Sequence, residues 1–379
     1  MVKEPEFTIK CTKCGEEFPD NYWYWNCSKC GGPLDVLIEI AEAKREEHLT
    51  SEKSMWRYQW FIPASMKFKV TLGEGCTPMI RRKIANVNVL LKLEFLNPTG
   101  SFKDRGSSVA ITRAISLQAR RVIEDSSGNA GASISAYATA AGIQAKIYVP
   151  KSAPKAKKEI IMTFGGQLVE AESRSEAAKR AVKELCKGDY YIGHAWNPFF
   201  IEGIKTIAYE IAEQMNWKTP DNIIVPTGNG TLLLGLYKGF NELIDAGWIN
   251  DMPRLIAVQA EGCAPLYEAI YGTKAGKGRS KLADAIRVPN PPRINQMVEA
   301  IKNTEGKVVT VNDKEIAHGL ECLVKLGLLV EPTSATAVSA LMKLSSVGEI
   351  EGVVCIPLTG CGVKMTSKLL RIIHRLGNR

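Results

Sequence analysis

The sequence contains no long hydrophobic run. None of its apolar stretches approaches the roughly 18 residues that a membrane-spanning helix needs, and residues 1–6 lack the apolar core of a secretory signal peptide. Internal repeats and low-complexity tracts are also missing. We therefore expect a cytoplasmic protein with no membrane partner.

The basic residues lack the clustering that is typical of nucleic-acid-binding proteins. The chain carries 49 Lys and Arg against 40 Asp and Glu, a net charge of +9. Most of these cations are scattered, and no aromatic stripe is interleaved with them. We expect no nucleic-acid partner, because a basic surface serves equally well to attract an anionic small substrate.

The ten cysteines lack the even distribution of a disulfide framework. Six are dispersed singly, whereas two Cys-x-x-Cys pairs lie within the first 30 residues, separated by twelve residues: Cys11, Cys14, Cys27 and Cys30. This spacing favours a structural zinc site over free thiols, disulfides or an iron centre, since four thiolates leave no open coordination position. We call residues 1–35 the cysteine ribbon; a module of this size needs such a staple.

The rest of the 379-residue chain is long enough for two packed domains. After a charged stretch at 35–50, which predicts a connecting helix, short β-branched runs alternate with helical patterns, as in a parallel α/β sheet. The predicted strands are 87–93, 121–124, 145–149, 167–169, 190–192, 223–226, 255–259 and 353–358. The predicted helices are 102–118, 130–141, 155–164, 173–186, 202–214 and 232–244.

One lysine has the setting of a nucleophile. Lys103 follows a turn that contains Pro98 and Gly100, at the first turn of a predicted helix. A lysine held there can be desolvated, and a lowered pKa is what Schiff-base chemistry with a carbonyl requires. A lysine in a loop is usually just a solvated charge, so the assignment depends on its companions.

Two further segments stand where predicted strands become helices. Residues 126–129, Ser-Ser-Gly-Asn, can present hydroxyls and backbone amides to a carboxylate. Residues 227–231, Thr-Gly-Asn-Gly-Thr, can turn their amides toward a phosphate at a helix N-terminus. The alternatives are simple N-capping for the first segment and an ordinary turn for the second.

The segment Asn-Pro-Thr-Gly-Ser-Phe-Lys-Asp-Arg at 97–105 resembles the lysine segment of threonine synthases. These are pyridoxal-phosphate enzymes of the tryptophan-synthase-β fold type (fold type II). The likeness extends over most of the chain, from about residue 72 to 360, and includes the segments 197–198, 202–203, 259–262, 282–287 and 331–335. The resemblance implies a two-domain α/β fold, with residues 101–200 as a small mobile domain. Residues 36–100 and 201–379 would then form a large domain, with the cofactor between the two.

The same resemblance implies pyridoxal 5′-phosphate as cofactor and assigns the site residues. Lys103 matches the lysine that bonds covalently to the cofactor, Asn129 the partner of its ring hydroxyl, and Thr359 the residue that meets its pyridine nitrogen. The cofactor phosphate would be held by Thr227, Gly228, Asn229, Gly230 and Thr231. The substrate carboxylate would be held by Ser126, Ser127 and Gly128.

The chain departs from the family pattern on the substrate side. Phe200 stands where an arginine is usual and Ala195 where a serine is usual, and both usual groups help to hold the substrate phosphate. Two other cations, Arg105 and Lys205, are the candidates to replace them. His194 could be invoked as an acid or base, although a single histidine in such a segment is more often structural. The same holds for Cys361, and the alternative for Thr359 is an ordinary turn at the end of a strand.

The sequence thus predicts a threonine synthase-like lyase that converts O-phosphohomoserine and water to threonine and phosphate. The expected partner is a small amino-acid substrate, and the expected assembly is a homodimer. The alternatives are a β-replacement enzyme of the cysteine synthase or O-phosphoserine sulfhydrylase type, and a serine or threonine deaminase. A nucleic-acid binder with a vestigial enzyme body is a fourth interpretation, against which Lys103, Asn129 and residues 227–231 all speak.

Overall fold

The computed structural model describes residues 5–40, 44–276, 278 and 280–377. Its strands are β1 Phe7–Cys11, β2 Glu17–Phe18, β3 Leu34–Ile38, β4 Met79–Ile84, β5 Val87–Lys92, β6 Arg121–Glu124, β7 Gln144–Pro150, β8 Gln167–Ala171, β9 Asp189–Tyr191, β10 Asn222–Pro226, β11 Arg254–Ala260, β12 Lys307–Val311 and β13 Val354–Pro357. Its α-helices are α1 Arg45–His48, α2 Lys103–Ser116, α3 Asn129–Ala140, α4 Lys155–Thr163, α5 Arg174–Lys183, α6 Pro198–Ile204, α7 Thr206–Gln214, α8 Thr231–Asp245, α9 Pro265–Tyr271, α10 Ile294–Asn303, α11 Asp313–Lys325, α12 Pro332–Ser346 and α13 Thr366–Gly377. Short 3₁₀ helices are Met55–Phe61, Met66–Phe68, Glu94–Leu96, Asp284–Ile286 and Gly362–Met365.

The chain forms two compact units. Unit 1 consists of Met1–Cys76, Asn97–Ile207 and Asp245–Trp248, and unit 2 of Thr77–Leu96, Ala208–Ile244 and Ile249–Arg379. Compactness is a different property from mobility, so the predicted small mobile domain at 101–200 stays a prediction. The separate ribbon domain and the discontinuous large domain stay predictions too.

The cysteine ribbon contributes to a small antiparallel sheet of unit 1 that extends from Phe7 to Ile38, past the predicted boundary at residue 35. Its strand order is β2-β1-β3, and Ile9 of β1 pairs with Val36 of β3. The predicted charged helix at 35–50 is wrong at its start, because Leu34 and Val36 alternate with more exposed residues and bury one face of β3. The α-helix in this stretch is only the single turn α1, and residues 41–43 lie outside the described residues.

The other sheet of unit 1 is parallel, in the order β8-β7-β6-β9. Its predicted strands and the predicted helices α2 to α5 are confirmed to within three residues. Because β6 and β9 are parallel neighbours, their carboxyl ends meet at one edge of the sheet. That edge is where open α/β sheets bind ligands.

Unit 2 is built on a six-stranded sheet in the order β12-β11-β10-β13-β5-β4. All its strand pairs are parallel except β4 with β5. The sequence reading missed β4, β12 and the helices α9 to α13. It also predicted one helix at 202–214 where the structure has α6 and α7, because Asn197 caps a helix that begins at Pro198 and ends at Ile204.

Apolar side chains fill the interior of each unit. The core of unit 2 centres on Val89, Ile224, Val258 and Ile356 from four neighbouring strands. In unit 1, Ile9 and Cys11 of the ribbon belong to the same buried cluster as Phe199 of α6. Among the described residues, no helix is both long and apolar enough to span a membrane.

Candidate active site

Lys103 is the first residue of α2, and a buried polar network fixes the turn before it. The turn closes when Gly100, at φ +80°, donates its N–H to the carbonyl of Asn97 over 2.7 Å. The carboxylate of Asp104 is fully buried and accepts bonds from the Thr99 N–H (2.6 Å) and from the Ser133 hydroxyl of α3 (2.6 Å). Asp104 therefore ties the lysine turn to α3, a role that the sequence reading missed.

The Lys103 amine lies against aromatic rings. Its Nζ is 4.6 Å from the ring centroid of Phe102 and 5.5 Å from that of Phe200. Burial lowers the pKa of Lys103 to about 8, and the nearby Glu124 carboxylate opposes this effect. A neutral, nucleophilic amine is therefore accessible close to neutral pH, as Schiff-base chemistry requires.

Residues 126–128 link β6 to α3 and are half-buried. The loop is tight: the Gly128 N–H donates to the Ser126 hydroxyl over 3.2 Å, and a Cβ on Gly131 would collide with the Ser126 carbonyl. Asn129 begins α3, so the loop amides precede a helix N-terminus. The structure therefore places Ser126, Ser127, Gly128 and Asn129 in unit 1 with Lys103, which Asp104 ties to α3 through Ser133.

Residues 227–231 connect β10 to α8 in unit 2. Thr227 is held by its N–H to the Val258 carbonyl (2.8 Å) and by its hydroxyl to the Val225 carbonyl (2.8 Å). Gly230 has φ +86°, and a Cβ there would collide with the Met297 sulfur. A Cβ on Gly228 would stand 2.9 Å from the Ile286 Cα. Both glycines are thus required by close packing, and the loop ends at the N-terminus of α8.

Thr359 follows β13 in unit 2, and a serine holds its hydroxyl. The Ser334 hydroxyl lies 2.9 Å from Thr359 Oγ1 and accepts the N–H groups of Thr359 and Gly360 at 3.0 and 3.1 Å. Ser334 is fully buried at the start of α12. It fixes the orientation of Thr359, and it falls in the segment 331–335 that carries the resemblance.

The four ribbon cysteines come together. All four sulfurs lie within 4.8 Å of one another, with Cys11 Sγ 3.5 Å from Cys30 Sγ and Cys14 Sγ 3.7 Å from Cys27 Sγ. Zinc–sulfur bonds of about 2.3 Å in a tetrahedron put sulfurs about 3.8 Å apart. The donor set and its spacing therefore fit a tetrahedral metal ion.

Arg105 and Lys205 are both fully buried in unit 1. Arg105 donates to the Thr206 hydroxyl over 3.1 Å, and Lys205 forms an ion pair with the equally buried Glu202. The guanidinium of Arg105 and the amine of Lys205 thus both have partners in the protein interior. Their substrate-binding role stays a prediction, and their burial favours a structural role instead.

Glu124 and Asp125, at the end of β6, face His194 and Tyr191. Glu124 Oε1 is 2.8 Å from His194 Nδ1, and the Tyr191 hydroxyl donates to Asp125 Oδ1 over 2.8 Å. Burial, reinforced by Glu124, raises the pKa of Asp125 to about 6. Two consecutive acidic residues at the end of a buried strand are the sequence signal for this group of side chains, which the sequence analysis did not predict.

Comparison with known proteins now identifies the class. Residues 70–360 match the family described as pyridoxal-phosphate dependent enzyme. That match spans most of the chain, and the chain belongs to this family.

Curated relatives narrow the activity. The chain is 35% identical to the threonine synthase of Methanocaldococcus jannaschii, over 96% of this chain and 94% of that one. It is also 35% identical to the threonine synthase of Methanosarcina acetivorans, over 92% and 90% of the two chains. The chain is a threonine synthase-like, pyridoxal-phosphate-dependent lyase, as the sequence predicted.

Solved structures agree on the fold. An L-serine ammonia-lyase from Rhizomucor miehei matches with a TM-score of 0.69 at 24% identity, over 79% of this chain and 98% of that one. A threonine deaminase from Solanum lycopersicum matches with a TM-score of 0.67 at 20% identity, over 90% and 91%. The predicted fold type II architecture is thereby confirmed.

Proposed function

We propose that the protein converts O-phosphohomoserine and water to threonine and phosphate, with pyridoxal 5′-phosphate as cofactor. The observation that carries the proposal is Lys103, a lysine of lowered pKa at the start of α2. Identity of 35% to threonine synthases over almost the full chain supports the substrate.

The residues present fit the cofactor. Beside Lys103, the Ser101 hydroxyl is fully buried and has no hydrogen-bond partner among the described residues, so a bound polar group would satisfy it. In unit 2, the amides of residues 227–231 at the N-terminus of α8 suit a phosphate. The Thr359 hydroxyl, oriented by Ser334, suits a ring nitrogen that is not to be fully protonated.

Each residue then has a defined task. When bound, the cofactor supplies an electron sink for the substrate carbons. The Lys103 amine would hold the cofactor covalently and, once released from it, would move protons at the α, β and γ carbons of the substrate. Ser126, Ser127 and Gly128 hold the substrate carboxylate, and Asn129 holds the cofactor ring hydroxyl.

A second candidate function is β-replacement on phosphoserine or acetylserine. The observation that favours it is Phe200, whose buried ring lies beside the Lys103 amine where the family usually has an arginine. Deamination of serine or threonine belongs to the same fold and stays a third candidate.

One experiment separates these candidates. The purified holoenzyme is titrated with phosphohomoserine, phosphoserine, acetylserine and threonine, and spectra, phosphate release and amino-acid products are recorded. We expect phosphate and threonine from phosphohomoserine. The proposal would be contradicted if no threonine forms and the enzyme instead makes cysteine in the presence of sulfide or releases ammonia from threonine.

We propose that the cysteine ribbon binds one structural zinc ion through Cys11, Cys14, Cys27 and Cys30. The sulfur distances support this assignment, and four thiolates leave no position for a catalytic water. Metal analysis of protein purified without added zinc tests it. Less than about 0.2 zinc per chain, or stoichiometric iron, would contradict it.

We further propose a cytoplasmic homodimer that binds no nucleic acid. The dispersal of the other six cysteines along the chain supports a reducing compartment. Light scattering on the purified holoenzyme tests the dimer, and retention on immobilised DNA and RNA at low salt tests the last point.

A further inference from the structure

A histidine and a buried glutamate form a pair at the ligand-binding edge of the unit 1 sheet. The His194 imidazole Nδ1 is 2.8 Å from Glu124 Oε1, and the His194 backbone N–H donates to Glu124 Oε2 over 3.1 Å. Glu124 is fully buried, whereas the His194 side chain is 17% exposed. The Glu124 carboxylate therefore fixes the orientation of the imidazole from the protein interior. It contacts Nδ1, and Nε2 lies on the opposite side of the ring.

Acidic side chains lie beside the His194 imidazole. Besides Glu124, Asp125 lies close enough to interact electrostatically with His194, and it accepts the Tyr191 hydroxyl. In the described part of the chain, Glu124, Asp125 and Tyr191 are thus titratable groups next to the ring.

Phe200 connects this pair to the cofactor-binding lysine. The Phe200 ring centroid is 6.0 Å from the His194 ring and 5.5 Å from Lys103 Nζ. The ring is fully buried, and a Cβ on Gly106 would stand 2.5 Å from it, so its position is determined by packing. The His194 ring and the Lys103 amine therefore both lie next to the Phe200 ring.

We propose that His194, oriented by Glu124, is a second acid and base of the reaction and acts on the leaving group. The proposal rests on the proposed function, since it requires a phosphate ester as substrate. Glu124 is then a positioning residue, because it acts only through the imidazole.

In a phosphate ester, the bond between the γ carbon and the ester oxygen breaks, and its electron pair goes to the oxygen. Without a proton, phosphate would leave as the strongly basic trianion; a proton from His194 Nε2 makes it the hydrogen phosphate dianion. The neutral imidazole then accepts a proton from the water whose oxygen bonds to the β carbon, which restores the starting state.

The test compares two leaving groups in the His194→Asn variant. The asparagine amide can still donate to Glu124 but has no group at the Nε2 position. The phosphate group of homoserine phosphate needs a proton in order to leave. The sulfate group of homoserine sulfate leaves as a weakly basic dianion and needs no proton. We expect kcat/KM to fall about 100- to 1000-fold for the phosphate and less than about 10-fold for the sulfate.

The control is His318→Asn, which changes an exposed histidine of α11. It should leave both rates unchanged. Losses in His194→Asn that differ by less than about tenfold between the two substrates would overturn the inference, because a merely structural role affects both equally. A parent enzyme that releases no phosphate would instead overturn the proposed function, and the inference with it.

A measurement independent of turnover uses the small number of histidines, four in the whole chain. In ¹⁵N-histidine-labelled holoenzyme, inorganic phosphate should shift the Nε2 resonance of His194. Glu124→Leu, whose side chain accepts no hydrogen bond, should remove the slowly exchanging Nδ1 proton. No phosphate-dependent shift at His194 would contradict the inference. An unchanged Nδ1 proton in Glu124→Leu would contradict the positioning role.

Discussion

Lys103, the residue proposed to bind the cofactor, also lowers the free energy of unfolding because its amine is desolvated. Lys103 lies half-buried beside Phe102 and Phe200, and burial lowers its pKa to about 8. The same desolvation that makes the amine nucleophilic disfavours the charged form in the folded protein. Two consequences can be measured on this one residue.

We expect Lys103→Ala to abolish turnover and the visible absorbance of the covalently bound cofactor, because no other described residue carries the amine at the start of α2. Far-ultraviolet circular dichroism should remain unchanged. Turnover near the parent rate would show that the lysine assignment is wrong.

We expect Lys103→Met to stabilise the cofactor-free protein by about 1–3 kcal/mol at pH 7. Below pH 8, Lys103 is protonated in both states and the folded protein bears the desolvation cost. Between pH 8 and the ordinary value of 10.5, the folded amine is neutral while the unfolded chain still binds a proton. The advantage of Lys103→Met should therefore shrink as the pH rises through this range. Denaturant unfolding at pH 7 and pH 10 measures it, and an advantage that grows with pH would contradict the assigned pKa direction.

Helix α6 contacts both the cysteine ribbon and the surroundings of Lys103. Its Phe199 packs edge-on against Phe7 of the ribbon at 5.7 Å between ring centroids. The next residue, Phe200, faces the Lys103 amine and the His194 ring. The helix is also held by Asn197, whose side chain caps it, and by the ion pair between Glu202 and Lys205. The position of Phe200 beside the lysine therefore depends on how α6 is anchored.

We expect Lys205→Met to destabilise the protein by about 3–5 kcal/mol, because it leaves the Glu202 carboxylate buried without its ion-pair partner. The KM for phosphohomoserine should change little in the protein that remains folded. The control is Lys10→Met, which removes an exposed ion pair with Glu17 and should have almost no effect. A raised KM with unchanged stability would instead support the substrate-binding role predicted from the sequence.

At the scale of the whole molecule, the ribbon is integrated into unit 1. Trp25 packs against Trp196 and Tyr191 at 4.9 and 5.2 Å between ring centroids, and the Trp23 indole donates to the Asp189 carbonyl over 3.0 Å. Tyr191 in turn binds Asp125, beside the His194–Glu124 pair. The ribbon thus packs on residues 189–196, the segment that carries His194.

We expect Cys14→Ser to lose zinc and to lower the thermal midpoint by more than about 5 °C, because a site of three thiolates binds the metal far more weakly. Because Phe7 and Trp25 of the ribbon pack against Phe199 and Trp196, we also expect the cofactor to be lost faster on dialysis.

The control for the ribbon variant is Cys186→Ser, which changes an exposed cysteine outside the ribbon. Metal content, thermal unfolding and cofactor retention should all equal those of the parent. A zinc-free parent, or a Cys14→Ser variant with full zinc content, would contradict the metal assignment.

Local patterns determined most of the fold class. Alternation of β-branched runs with helical periodicity located the parallel strands of both units except β12, because side-chain burial repeats along a strand or helix in a way the sequence displays directly. The same reasoning failed at β3 and at α6, two short segments whose structure depends on residues elsewhere in the chain. Leu34 and Val36 are buried in a cluster with Phe199, and the capped start at Pro198 divides what reads as one helix.

For the site, the sequence by itself, through its motifs and its resemblance to threonine synthases, predicted which residues carry the chemistry: Lys103, residues 126–129, residues 227–231, Thr359 and the four ribbon cysteines. The two loop motifs are visible in the sequence because each of them follows a strand and opens a helix. Only the tertiary structure decided that Phe200 faces the lysine, that Glu124 holds His194, and that Lys205 is buried against Glu202. Phe200 and Lys103 are 97 positions apart and Glu124 and His194 are 70 positions apart, so no local pattern specifies these pairings. Glu202 and Lys205 are close along the chain, but their complete burial depends on how the strands and helices pack around them.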